Sequence, residues 1–189
     1  MLKPPSLFLL LLIITITPLV TCSITLMSPK DLVDQTCQKC ANQSKILSYP
    51  LCSTSLPVIP VSHSANLQGL ALIAMELALE NVTSSIETID KLLDDENVSS
   101  IIDNLKDCME LYSDAAWTIV NSIGAFLSGN YEVPINWMSS VMESASTCQQ
   151  GFGKKGEGSP LTTENYNLFQ LCGIAVCIIQ MSNPVAKAS

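Results

Sequence analysis

Of the eight cysteines in this chain, Cys37, Cys40 and Cys52 fall within sixteen positions, in "CQKCANQSKILSYPLC" (37–52). A CxxC pair of this kind can ligate a metal, exchange disulfides, or supply two arms of a disulfide framework. A structural zinc needs four Cys/His ligands, usually as two knuckles. Here there is one CxxC, the one histidine is His63, and no second knuckle follows. A thioredoxin-type motif needs a preceding strand in a mixed α/β chain, and neither is legible. The framework reading remains. Other chemistry has little to stand on. Asp94, Asp95 and Glu96 read as a solvated acidic turn at a helix end, where nothing nearby would shift a carboxyl for acid–base work. His63 lies in a Ser-rich segment with no Ser/His/Asp constellation, which suits a loop or capping role. "GFGKKGEG" (151–158) does not follow a strand, so it is no phosphate loop. No catalytic residue, metal or cofactor is expected.

The elements that must position these cysteines begin with a secretory leader. Lys3 precedes the apolar run "LFLLLLIITI" (7–16), and small or polar residues follow at Thr21 and Ser23. This is the layout of a cleaved signal, assigned to residues 1–23. No later stretch is long and apolar enough to be read as a membrane span, and "LCGIAVCII" (171–179) suits a buried helix. The remaining chain of about 166 residues has 17 acids against 8 lysines and no arginine, a net charge near −9. That balance argues against nucleic acid and anionic membranes and suits a neutral or basic protein partner. Without Cys22 seven cysteines remain, an odd number, so at least one thiol is left over or pairs between chains. Sequons at Asn42, Asn81 and Asn97 are glycosylation candidates of a secreted protein.

"SPKDLVDQTCQKCANQ" (28–43) reads as a short helix with Ser28 as cap and Pro29 in the first turn. "LCSTSLP" makes a second short piece, giving a helical hairpin within residues 24–60. Four long amphipathic segments follow within 61–183. Residues 64–95 carry Leu67, Leu70, Ala74, Leu77 and Ala78 at helical spacing. Residues 98–128 carry Ile101, Leu105, Cys108, Tyr112, Ala115, Ile119, Ile123 and Phe126, the spacing of near-parallel helix packing. Gly129 reads as a left-handed cap. Residues 131–150 carry Met138, Val141, Met142, Ala145 and Cys148; 151–160 read as loop. The last helix starts after Thr162, with Leu168, Leu171, Ala175 and Ile178 inward, and 184–189 form a loose tail. The fold class is all-α: an up-down-up-down four-helix bundle with an N-terminal helical hairpin and two disulfides.

Cys108 lies 21 residues before Gly129 and Cys148 lies 19 after it. At about 1.5 Å per residue, antiparallel neighbours bring the two to nearly one height. A Cys108–Cys148 bridge is therefore natural, and Cys37–Cys52 staples the hairpin. Cys40 then lies beside that bridge, contacting either the last helix or another chain. Cys172 and Cys177 point about 140° apart on one helix and cannot readily bridge each other. Cys172 is expected as a small buried filler.

"YPLC" (49–52), "DCMELYSDA" (107–115), "TCQQGF" (147–152) and "SPLTTEN" (159–165), in this order and with both cysteine spacings, resemble the plant invertase and pectin methylesterase inhibitors. "SHSANLQGLALIA" (62–74) looks most like the invertase inhibitors of the pollen-allergen type. The resemblance covers essentially the whole chain after the signal. It implies one inhibitor domain (28–183), disulfides Cys37–Cys52 and Cys108–Cys148, and a secreted protein of the apoplast or cell wall rather than the vacuole. Its partner would be a pectin methylesterase or an acid invertase, blocked without covalent chemistry. In the invertase inhibitors of that family a Pro-Lys-Phe tripeptide at the start of the third bundle helix enters the sucrose-cleaving pocket. Counting back from Cys148, Tyr131, Glu132 and Val133 stand in its place, and they are the candidate partner-contact residues. Glu132 puts a carboxylate where those invertase inhibitors have a lysine, and in a pocket that works with carboxylates it repels. The rival class is a bundle carrying a small apolar ligand, with Met138 and Met142 lining its cavity.

Overall fold

The structure is a computed structural model that describes residues 31–95, 100–153 and 158–184. The signal segment, the expected cap at Ser28 and Pro29, Glu96, the sequon at Asn97 and the tail beyond Pro184 lie outside the described residues. Helices α1 (Leu32–Gln43) and α2 (Tyr49–Ser55) form the hairpin, and two 3-10 turns (Leu56–Val58 and Pro60–Ser64) lead out of it. The bundle is α3 (Leu67–Leu93), α4 (Ile102–Leu127), α5 (Glu132–Gly153) and α6 (Thr162–Ser182). Each packs along the next and α6 closes on α3, with no strand among the described residues. Short connections force antiparallel neighbours, so the all-α bundle with its hairpin stands as expected.

Local chemistry sets the helix ends. Helix α1 starts at Leu32, and the Asp31 carboxylate caps it by accepting from the Val33 N–H at 3.3 Å. The Asn66 side chain caps α3 by accepting from the Gly69 N–H at 2.9 Å. Helix α4 buries Leu105, Cys108, Tyr112, Ala115, Ile119 and Phe126, the stripe read from the sequence. It ends in a Schellman turn: Asn130 N–H donates to Ala125 C=O (3.1 Å), Gly129 N–H donates to Phe126 C=O (3.0 Å), and Gly129 has φ 82°. Helix α5 runs three residues past its expected end, because Phe152 is fully buried and draws "GFG" into the helix. A buried chain of hydrogen bonds ties three helices. Tyr112 Oη donates to Asn165 Oδ1, and Asn165 Nδ2 donates to Gln149 Oε1 at 2.6 Å. Burial keeps the Tyr112 phenol protonated and therefore a donor.

Helix α3 corrects one expectation. By length and composition it could cross a membrane. Its apolar face, from Leu70 to Ile89, lies in the bundle core, while Glu76, Glu80 and Glu87 are exposed on the opposite side.

Both expected disulfides are present, and a third adds to them among the described residues. Cys37–Cys52 closes the hairpin (Cα–Cα 5.6 Å) and Cys108–Cys148 joins α4 to α5 (5.1 Å). Cys40, left unassigned by the sequence, bonds Cys177 on α6 (5.8 Å). Cys172 is the free, buried cysteine among the described residues. The CxxC cysteines thus go to two different partners. Helix α6 is buried on nearly every side because the hairpin lies on its outer face. Three positions at spacings of three and four receive it. Gln170 accepts from the Ser48 N–H (2.7 Å) and donates to the Ile46 C=O (2.8 Å). Gly173 leaves room for Leu47, whose Cδ2 would stand 2.5 Å from a Cβ placed there. Cys177 supplies the covalent tie. At the other end of the hairpin, His63 Nδ1 pairs with the Asp31 carboxylate, linking the start of α1 to the second 3-10 turn.

Two outcomes are expected. Gln170→Ala strands two backbone groups of the hairpin turn and costs about 1–3 kcal/mol. Hydrogen exchange should show the amides of residues 46–48 losing protection while the bundle core keeps its own. Separately, the hydrogen bond from His63 holds the Asp31 carboxyl below its ordinary 3.8. Its contribution is complete above that value and fades as pH falls through the lower folded value. An NMR titration of the Asp31 carboxyl carbon should place its midpoint below the ordinary value, and His63→Ala should move it back up.

Candidate functional site

The partner-contact candidates sit where α4 turns into α5. Asn130 Oδ1 accepts from the Val133 N–H at 3.0 Å, satisfying one of the free donors that open α5. Tyr131 is half-buried. Its ring meets Phe126 edge-on, with centroids 5.5 Å apart and planes at 87°, and its hydroxyl accepts from Gln68 Nε2 at 2.9 Å. Tyr131 thereby fastens the start of α3 to the α4–α5 turn. Glu132 is exposed in the first turn of α5, where the helix dipole favours a carboxylate. Val133 is half-buried beside it. Of the three, Glu132 is the one whose side chain is free to meet another molecule.

The other candidates are dispersed. Asn42 is exposed in the last turn of α1, and Asn81 is half-buried in the middle of α3 with its Oδ1 inaccessible. Asp94 and Asp95 are exposed at the end of α3. Met138 is fully buried in the core, and Met142 packs toward Gly173 at the edge of a groove of about 280 Å³ under the hairpin turn. A wider cleft of about 770 Å³ between α1 and the ends of α3 and α6 is lined by Gln35, Thr36, Gln43 and Gln180, with Lys39 its charged residue. Leu32, Leu67 and Met181 complete the lining, so one cation stands among amides, a hydroxyl and apolar side chains. The free thiol of Cys172 is fully enclosed, and burial pushes its ionisation far up, the reverse of an activated nucleophile.

Reading only for the inward stripe missed an outward one. Trp117, Val120 and Leu127 on α4 are exposed, at spacings of three and seven that place them on one helix face. The signal was present in the sequence as a second apolar period out of phase with the first.

The fold and this site define a class: a disulfide-bonded helical bundle that offers an exposed helix and turn. The chain belongs to the plant invertase/pectin methylesterase inhibitor family, whose model matches residues 31–178. It is 36% identical over 152 residues to a protein of Platanus orientalis named "Putative invertase inhibitor", covering 80% of this chain and 89% of that one. It is 27% identical over 171 residues to the "Pectinesterase inhibitor" of Actinidia deliciosa, covering 90% and 89%. It is 26% identical over 151 residues to "Pectinesterase inhibitor 12" of Arabidopsis thaliana, covering 79% and 87%.

The packing of Tyr131 gives an expected outcome. Tyr131→Ala removes an aromatic pair and a hydrogen bond and should cost about 1–3 kcal/mol, lowering the melting temperature by about 2–4 °C for each kcal/mol. Glu132→Lys reverses a charge at a helix start and should cost less than about 1 kcal/mol. Thermal melts of the two variants check this ranking.

Proposed function

We propose that the protein is a secreted, non-covalent inhibitor of a cell-wall carbohydrate enzyme, a pectin methylesterase or an acid invertase, which it blocks by covering the substrate cleft. One observation carries the reading: the family model matches residues 31–178, from Asp31 into α6. The relatives named above carry both target names, so the names alone do not choose. Three disulfides support occlusion as the mechanism, because a cross-linked body loses little conformational freedom on docking. An acidic chain of net charge −8 suits a target with a basic surface. The sites of action this implies are the apoplast and cell wall. Tyr131, Glu132 and Val133 are proposed as part of the contact, with Glu132 the side chain that reaches the enzyme. Against an acid invertase, Glu132 opposes insertion into a carboxylate-bearing pocket and weakens inhibition through this turn.

The assay follows both enzymes against increasing protein. Inhibition of at least one at near-stoichiometric protein is expected. Glu132→Lys should strengthen inhibition of the invertase, by about tenfold if one repulsive contact becomes attractive. Full activity of both enzymes at large molar excess contradicts the proposal.

A further inference from the structure

We infer that the outer face of α4 is the surface that docks the target, and that it fits an apolar patch bordered by lysine or arginine side chains. The inference rests on the inhibitor reading above and names its contact surface. Trp117 is 72% exposed, Val120 45% and Leu127 66%. With Gly124 they are spaced three, four and three residues apart, so they form one continuous strip. Single exposed hydrophobics are ordinary on any protein, but a strip in register is not. The packing of α4 into the bundle is met by its opposite face, through Leu105, Tyr112, Ile119 and Phe126. The outer strip therefore contributes nothing to the core.

Gly124 is the second observation. A Cβ placed there would meet nothing within 4 Å, and its φ lies outside the left-handed region. Neither packing nor backbone conformation within the chain calls for glycine. Inside a helix glycine is the poorest former after proline, so it weakens α4. What it provides is a flat spot between Val120 and Leu127 where another molecule can approach the helix backbone. Tryptophan beside such a spot is the kind of side chain that carries binding energy at protein interfaces.

Charge selects the occupant. Toward its start, the outer side of α4 exposes Asp103, Asp107, Glu110 and Asp114, with Lys106 among them. An acidic approach to an apolar strip fits a protein with a cationic rim around an apolar centre. It repels a second copy of a chain that carries net charge −8. The strip also ends at Leu127, beside the Schellman turn that leads to Glu132, so one surface runs from α4 onto the start of α5.

The test compares the parent protein with Gly124→Gln, Trp117→Ala and, as a control at an exposed position of α5, Thr147→Gln. Gly124→Gln fills the flat spot while improving helix propensity, so a loss of function with an unlowered melting temperature is not a loss of folding. Inhibition of a pectin methylesterase and an acid invertase is measured beside thermal melts and sedimentation velocity. Gly124→Gln and Trp117→Ala should each weaken inhibition about tenfold or more. Gly124→Gln should melt no lower than the parent, and Thr147→Gln should inhibit like it. A parent that inhibits, with both α4 variants inhibiting equally well, overturns the docking face and leaves the inhibitor reading standing. A parent dimer that Gly124→Gln converts to monomer gives the strip to a second copy and also overturns it. A parent inert toward both enzymes overturns the inhibitor reading and this inference with it.

Discussion

The bond between Cys108 and Cys148 is the constraint from which the exposed surface takes its shape. It lies roughly twenty residues along each helix from the turn at Gly129, so α4 and α5 are joined at both ends of their shared length. A helix pair fixed at one end can slide or splay; a pair fixed at both ends keeps its register. Closing a loop of 40 residues contributes about 3–4 kcal/mol in the chain-entropy model. The bond does more than stabilise, because it sets the height of Trp117 and Leu127 relative to Glu132. Tyr131 adds a non-covalent tie across the same turn by reaching Gln68 at the start of α3.

The hairpin meets the bundle by different means. Helix α6 receives it through one hydrogen-bonding amide, one missing side chain and one disulfide, at Gln170, Gly173 and Cys177. These devices differ in kind. Gln170 satisfies a donor and an acceptor of the half-buried hairpin turn. Gly173 allows close approach, and the disulfide makes the arrangement permanent. The consequence is visible along α6, where Cys172 to Ala175 and Cys177 to Ile179 are all buried. A helix apolar all round belongs in an interior, and here the hairpin makes an interior out of what would be the bundle surface.

The legible and illegible parts of the sequence separate along this line. The inward stripe of α4, the left-handed turn at Gly129 and the Cys108–Cys148 bond follow from period and arithmetic, because they involve neighbouring elements joined by a short turn. Cys40–Cys177 was not accessible that way, since it spans 137 positions and depends on how the hairpin lies against α6. Spacing on one helix says which way Cys177 points, but not what covers that side. Phe152 shows the same limit locally. The glycines around it suggest a loop, and only the core position of its ring explains why α5 continues to Gly153. Among the candidate contact residues, sequence placed all three at one turn, yet only the packing of Phe126 and Gln68 distinguishes the inward Tyr131 from the outward Glu132.

Gly124 joins these threads. In an isolated helix, a glycine this close to one end would promote fraying from that end. Helix α4 is protected from that by features on either side of the position. Phe126 and the Schellman turn hold the end beyond it, and Ile119, Ser122 and the Cys108 bond hold the stretch before it. A weak helix former can be kept at such a position without loss of order, because tertiary packing supplies what propensity withholds. The cross-linked scaffold and the accessible strip are therefore two parts of one arrangement. The covalent and packing constraints on the inner side of α4 allow its outer side to carry residues chosen for something other than folding.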